Sequence, residues 1–242
     1  MIGLEGLPEL GPGDDLGALL AEACARAGGL EAGDVLVVAQ KAVSKVEGRL
    51  VRLADVEPSA RAVQLAGEEG DPRQLEVILG ESAEVVRSRP PLVIARTRHG
   101  FVCASAGVDA SNAKGPETVV LLPADPDASA RVLRERLTDL TGVAPGVVVS
   151  DSFGRAWRQG TTDIAIGVAG LRPLRDLRGT RDSVGYELRS TMIADADEIA
   201  GAAELVLGKS AGIPAAIVRG VDVSGDGSAQ ELVMPADRDL FP

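Results

Sequence analysis

Apolar positions along the chain fall into two alternating rhythms, a helical one and short continuous runs, with turn-forming residues between them. Asp14-Asp15 precede Leu16, Leu19, Leu20 and Cys24 at helical spacing, and Gly28-Gly29 close that stretch, which predicts a capped helix. Gly33-Asp34 then lead into Val35-Leu36-Val37-Val38-Ala39, an unbroken apolar run that reads as a strand buried on both faces. Pro58-Ser59 open a second helix to about Gly67. Asp71-Pro72 open a third, carrying Leu75, Ile78, Leu79 and Val86 and stopped by Pro90-Pro91. Residues 92–95 and 101–105 read as a hairpin around Arg98-His99-Gly100, and 119–122 as another strand. Asp125-Pro126-Asp127 cap the clearest helix, 128–140, with Val132, Leu133, Leu137 and Leu140 as its apolar positions. Val147-Val148-Val149 form a buried strand ending at Ser150-Asp151, and 164–169 a further strand. A helix over 195–207 and a strand over 215–218 complete the pattern. Helices and strands are mixed without strict βαβ regularity, so the expected class is α+β (mixed α/β).

Composition narrows the function. Of 242 residues 45% are apolar, ample for a sizeable core, and the length suits one or two domains, with one over 1–242 the expectation. The 36 acidic against 25 basic residues give a net charge of −11, which opposes binding to nucleic acid or to an anionic membrane. No apolar run approaches the ~18–20 residues that span a bilayer, and the N-terminus carries no secretory signal pattern. Cys24 and Cys103 are the only cysteines, lie on apolar stretches and are expected to be buried reduced thiols. A cytoplasmic protein is the resulting expectation.

Chemistry-bearing residues are few. No G-x-G-x-x-G opens a helix after a strand and no G-x-x-x-x-G-K-[ST] occurs, so Rossmann and P-loop readings are disfavoured. His99, the single histidine, reads as an exposed hairpin residue, and its solitude removes His-rich zinc sites and weakens any Ser-His-Asp triad. Asp109, in Gly107-Val108-Asp109-Ala110-Ser111-Asn112, and Asp151, followed by the hydroxyl of Ser152, are each either hard-metal ligands or ordinary turn and cap residues. Basic residues gather as Lys41 and Lys45, as Arg155 and Arg158, and as Arg172, Arg175, Arg178 and Arg181. Such clusters either meet a phosphate or pair with local carboxylates on a solvated face. The stretch Leu207-Gly208-Lys209-Ser210-Ala211-Gly212-Ile213 is either a phosphate-approaching loop or a plain helix C-cap.

Taken together, Gly11-Pro12-Gly13-Asp14-Asp15-Leu16, Val43-Ser44-Lys45-Val46-Glu47-Gly48-Arg49, Ala106 to Asn112, Asp151-Ser152-Phe153-Gly154-Arg155-Ala156-Trp157-Arg158 and Ala196-Asp197-Glu198-Ile199-Ala200 resemble one family. It is the coenzyme F-420-0:L-glutamate ligases, which also form the N-terminal half of the two-domain mycobacterial F-420 enzymes. The resemblance implies a compact fold of two intertwined lobes, without the flavin/nitroreductase domain of the fused proteins. It implies GTP-dependent attachment of L-glutamate, through its amine, to the lactyl carboxylate of F-420-0 by way of an acyl phosphate, with further γ-linked glutamates in some members. It implies one or two divalent ions, Mg²⁺ or Mn²⁺, with K⁺ an open candidate beside them, and a homodimer. By motif match Asp109, Asp151 and Lys45 are the expected catalytic residues, and Asp109, Asp151 and Ser152 the metal ligands. Leu7, Pro8, Glu9, Leu10, Gln40, Lys41, Lys45, Asn112, Gly208, Lys209 and Gly212 are the expected nucleotide contacts. One departure stands out: the archaeal pattern has a Glu, proposed to hold a second metal, in the loop where this chain has Lys209. Two alternatives follow, a ligase of the same fold acting on a related carboxylate phosphodiester such as a dehydro-type precursor, and a nucleotide-binding module without catalysis.

Overall fold

The computed structural model describes residues 1–111, 115 and 117–240. In chain order its elements are β1 (Ile2–Gly3), α1 (Leu16–Arg26), β2 (Val35–Ala39), α2 (Gln40–Val46), β3 (Leu50–Arg52), α3 (Ala60–Ala66), α4 (Pro72–Glu81), β4 (Ser82–Arg89), β5 (Leu92–Thr97) and β6 (Val102–Ala104). They continue with β7 (Thr118–Val120), α5 (Pro126–Thr141), β8 (Gly146–Arg155), β9 (Arg158–Ala169), β10 (Arg175–Asp176), β11 (Met192–Ile193), α6 (Asp195–Leu207) and β12 (Ala215–Val218). The class is α+β. No helix among the described residues is long and apolar enough to cross a membrane.

A five-stranded sheet in the order β1-β12-β2-β8-β9 carries the larger lobe, and its one parallel pair is β2 with β8. The unbroken apolar run of β2 has the reason the sequence gives for such runs: both its faces are covered. Leu36 and Val38 pack with Leu16 and Leu20 of α1 and Leu133 and Leu137 of α5. Val35 and Val37 face Ala196, Ile199, Ala200 and Ala203 of α6 on the other side. A third core, built from Ala62, Ala66, Leu75, Ile78, Val93, Ala95 and Val119, fills a smaller lobe of α3, α4 and the three-stranded sheet β4-β5-β6. Asp15, Ser59, Asp71 and Asp125 each accept a backbone N–H from the first turn of the helix they precede.

Four local expectations need correction. The stretch opened by Asp71-Pro72 leaves the helix at Glu81, and Val86 lies in β4, which pairs antiparallel with β5. The β-branched Val85-Val86 pair suits a strand, so Pro90-Pro91 mark a hairpin turn rather than a helix stop. The strand at Val147 does not end at Ser150-Asp151 but runs to Arg155, and its partner β9 begins at Arg158, with register shifts at Val149/Ser150 and Gly154/Arg155. On α5 only Leu133 and Leu137 of the four expected apolar positions are buried, while Val132 and Leu140 face solvent. His99 is half-buried, its ring stacked on Phe101 at 5.8 Å and its Nε2 3.0 Å from the Pro123 carbonyl oxygen. Both cysteines are free and buried, and burial pushes their thiols up, Cys24 to about 11 and Cys103 to about 12.

α5 crosses β9 in close backbone contact at Gly167. A Cβ on Gly167 would stand 2.2 Å from the Pro126 carbonyl oxygen, and backbone there cannot yield cheaply. Gly167→Ala is therefore expected to cost about 2 kcal/mol, lowering the melting temperature by roughly 4–8 °C. A thermal melt equal to that of the parent would contradict this packing.

Candidate functional site

One edge of the large sheet gathers most of the chemistry, for topological reasons. β2 ends at Ala39 and the chain turns directly into α2, whereas its neighbour β8, paired with β9 on its far side, extends outward past that point. β12 runs antiparallel to β2, so the segment before it arrives at the same edge, and the Ala39 amide donates to the Pro214 carbonyl at 2.8 Å. β1 is antiparallel to β12, so the segment after Gly3 leaves there too. The carboxyl end of a parallel pair, where one strand stops and others pass, is a recurrent place for a ligand cleft.

A cleft of about 730 Å³ occupies this edge. Leu7, Pro8, Glu9 and Leu10 form one wall, Gln40, Lys41 and Lys45 of α2 a second, and Gly208, Lys209 and Gly212 a third. Asp109, Asp151 and Ser152 line it as well. Every residue singled out by motif match thus borders one cavity, except Asn112, which lies outside the described residues. Arg155, Arg158, Arg172, Arg175, Arg178 and Arg181 are not among the cleft residues. Arg178 instead pairs with exposed Asp176, the solvated-face outcome, whereas Arg175 pairs with the buried Asp195 and Arg172 stands 3.6 Å from it.

α2 was not legible as a helix, yet it sets the basic wall. Lys41 and Lys45 stand four residues apart and so project from one side of it. Lys41 Nζ donates to Asp109 Oδ2 at 2.7 Å and to Ser111 Oγ at 2.5 Å, and Lys45 Nζ donates to Glu9 Oε1 at 2.7 Å. Asp109 is itself fixed by a two-way backbone bridge to Val120 and by the Ser111 amide, which donates to its Oδ1. Burial alone would raise the Asp109 carboxyl, but the hydrogen bonds from Lys41 and Ser111, with the Lys41 charge, hold it below the usual range.

Asp151 behaves in the opposite way. Burial is the main cause that raises its carboxyl to about 7, and the negative charges of Asp163 and Asp109 add to it. The Ser152 amide and the Lys41 charge oppose that rise without cancelling it. Asp163 is a cleft residue that sequence reasoning missed. It sits in β9 directly across from Ser152, accepting from Ser152 Oγ at 2.6 Å and from Ser150 Oγ at 2.9 Å. No motif spacing marks it, because strand register alone brings it to β8. Ser150 and Glu204 of α6 also line the cleft. Gly208 closes α6 at φ +51 with its amide donating to Glu204, so the C-cap reading of that glycine holds alongside its place in the cleft.

The donor set was tested against a divalent ion. Among the described residues no three His, Cys, Asp or Glu side chains are arranged to hold a metal by themselves. Two carboxylates, Asp109 and Asp151, and the Ser152 hydroxyl are hard oxygen donors, and Mg²⁺ at phosphate sites uses one or two carboxylates with waters and substrate oxygens. The uncompensated charge that lifts Asp151 to about 7 is what a cation would relieve. The residues fit such an ion, provided that water and substrate complete its shell.

Comparison with known proteins decides the family. The family model described as F420-0:Gamma-glutamyl ligase matches residues 6–220. The chain belongs to this family. Within the family it is 42% identical over 247 residues to the coenzyme F420:L-glutamate ligase of Methanothermobacter thermautotrophicus, covering 100% of this chain and 98% of that relative. It is 47% identical over 237 residues to the enzyme of the same description from Methanopyrus kandleri, covering 95% and 92%. With that from Archaeoglobus fulgidus the identity is 41% over 240 residues, covering 98% and 94%.

Proposed function

We propose that this protein is a GTP-dependent ligase that joins L-glutamate, through its amine, to the lactyl carboxylate of coenzyme F-420-0. The observation that carries the reading is a cleft of about 730 Å³ lined together by Lys41 and Lys45 of α2 and by Asp109 and Asp151, with Lys41 paired to Asp109. Family membership supplies the substrate class, and the relatives named above are described as coenzyme F420:L-glutamate ligases.

Phosphoryl transfer needs positioning and charge neutralisation more than a protein nucleophile, which agrees with a cleft lined, among the described residues, by no histidine or cysteine. A divalent ion held by Asp109, Asp151 and Ser152 would supply neutralisation of the phosphates and alignment of the γ-phosphoryl group. Lys41 and Lys45 are then positioned to exchange their present partners, Asp109 and Glu9, for phosphate oxygens. The residues 7–10 and the 208–212 loop then enclose the nucleotide from two sides, and the missing side chain at Gly212 leaves its backbone open to close approach. In the reaction, an acceptor carboxylate oxygen bonds to the γ-phosphorus as the bond to the β–γ bridging oxygen breaks and GDP leaves. The glutamate amine then attacks the acyl carbon, phosphate departs with its bonding pair, and the amine loses a proton as the amide forms.

The test is incubation with F-420-0, GTP, Mn²⁺ and L-glutamate, read by mass spectrometry. A glutamylated product that requires GTP is expected, and its absence under conditions where an archaeal relative turns over would overturn the proposal. A binding measurement bears on the lysine roles separately. Lys45→Met is expected to weaken binding of a fluorescent GTP analogue by about 10-fold or more, the loss of one charge-assisted hydrogen bond, with an unchanged melting temperature. Equal affinity would remove Lys45 from the nucleotide site.

A further inference from the structure

Asp163 is a buried carboxylate with no ion pair among the described residues, although it lines a cleft that holds Lys41 and Lys45. Both its oxygens are committed, Oδ1 to the Ser152 hydroxyl and Oδ2 to the Ser150 hydroxyl. Direct pairing of Ser152 with Asp163 across the β8–β9 ladder fixes this arrangement, and Ser150, two residues before Ser152 and so on the same face of β8, reaches the same carboxylate on the diagonal. A buried negative group that serves only to bind two serines would be a costly way to join two strands already joined by their backbones.

We infer that Asp163 is a positioning residue, whose role is to accept the hydrogen bond of the Ser152 hydroxyl and so present the lone pairs of that oxygen as a ligand for a cation in the cleft. This rests on the proposed reading of Ser152 as a metal ligand. A serine hydroxyl has one proton and two lone pairs. With the proton committed to Asp163 Oδ1, the lone pairs of Ser152 Oγ are left for the cleft, and the carboxylate makes that oxygen more electron-rich. A freely rotating hydroxyl would direct its proton at the cation for part of the time. Ser150, held by the other carboxylate oxygen, keeps Asp163 from turning. An asparagine at 163 cannot reproduce this, because its amide presents one acceptor oxygen and one donor nitrogen, so one of the two serines must become an acceptor.

The experiment is a double-mutant cycle on Mn²⁺ affinity, read from the free Mn²⁺ signal in electron paramagnetic resonance, in the presence of a non-hydrolysable GTP analogue. Asp163→Asn and Ser152→Ala are each expected to weaken Mn²⁺ binding by about 10–100-fold. The double variant is expected to be no more than about threefold weaker than the worse single one, since both changes remove the same oriented oxygen. Asp163→Asn with parental affinity, or losses that multiply in the double variant as for a direct ligand, would overturn the inference. Circular dichroism establishes that each variant is folded, and Asp163→Ser takes the place of Asp163→Asn in the cycle should the latter not fold. Asp151→Asn separates this from the underlying reading. If the parent shows no Mn²⁺ binding beyond that of the analogue alone, or Asp151→Asn leaves binding intact, the metal reading itself fails. If Asp151→Asn abolishes binding and Asp163→Asn does not alter it, only the role of Asp163 is lost.

Discussion

Asp151→Asn is expected to reduce ligase turnover by about 10³-fold or more, equivalent to about 4 kcal/mol of transition-state stabilisation, while the melting temperature stays level or rises. The two halves of that expectation have one cause. Asp151 lies where burial and the charges of Asp163 and Asp109 disfavour its carboxylate, lifting it to about 7. For the ligand-free fold this is a cost, because a half-buried charge lacks a full partner. An asparagine of the same shape removes the charge and so relieves the fold, but it also removes a donor from the cleft. Activity assays with melting curves on the same preparation check both. Parental turnover would exclude Asp151 from the reaction, and loss of activity with a collapsed melting temperature would make its role structural.

The opposite end of the same sheet gives the second large effect. Asp34 is fully buried at the start of β2, and Arg219, just after β12, donates to both its oxygens at 2.8 Å. The Asp34 carboxylate also accepts from the Glu31 amide at 2.7 Å, and its carbonyl accepts from the Gly146 amide at the start of β8. One side chain and its backbone therefore tie three strands. Asp34→Asn leaves a guanidinium facing an amide and is expected to cost about 3 kcal/mol, a fall of roughly 6–12 °C in melting temperature. The hydrogen bond from Arg219 is the main cause holding the Asp34 carboxyl below its ordinary value, against the opposing effect of burial. A carboxyl with a folded value below its unfolded one stabilises above the unfolded value and loses that contribution as pH falls toward the folded one. The parent and Asp34→Asn should accordingly differ most near neutral pH and converge as pH falls below about 4. A difference that is constant from pH 7 to pH 3 would show that the pair acts through packing and not through charge.

The contrast between the two ends explains how much the sequence disclosed. Where side chains serve the core, pattern sufficed: the apolar run of β2 and the caps at Asp15, Ser59, Asp71 and Asp125 were all legible. Where they serve the cleft, pattern failed. Ser150 to Arg155 looks like a loop because polar residues follow three valines, yet it is a strand whose polar residues 150–152 border the cavity. α2 was hidden because Ala39-Gln40-Lys41-Ala42-Val43 continues an apolar strand without a turn signal. Motif resemblance pointed to Asp109, Asp151, Ser152 and Lys45, which lie in contiguous signatures and which the fold brings to one cleft. Asp163 and the Asp34–Arg219 pair escaped, because each partnership is made by strand register between distant segments and leaves no local mark.

On the proposed route the acceptor carboxylate is activated by phosphoryl transfer from GTP before glutamate attacks. F-420-0 carrying ¹⁸O in its lactyl carboxylate tests this directly, with the phosphate released during glutamylation analysed by mass spectrometry. Activation through an acyl phosphate requires one ¹⁸O atom in each phosphate formed, because the carboxylate oxygen that bonds to the γ-phosphorus leaves with it. Unlabelled phosphate accompanying glutamylated product would contradict that route.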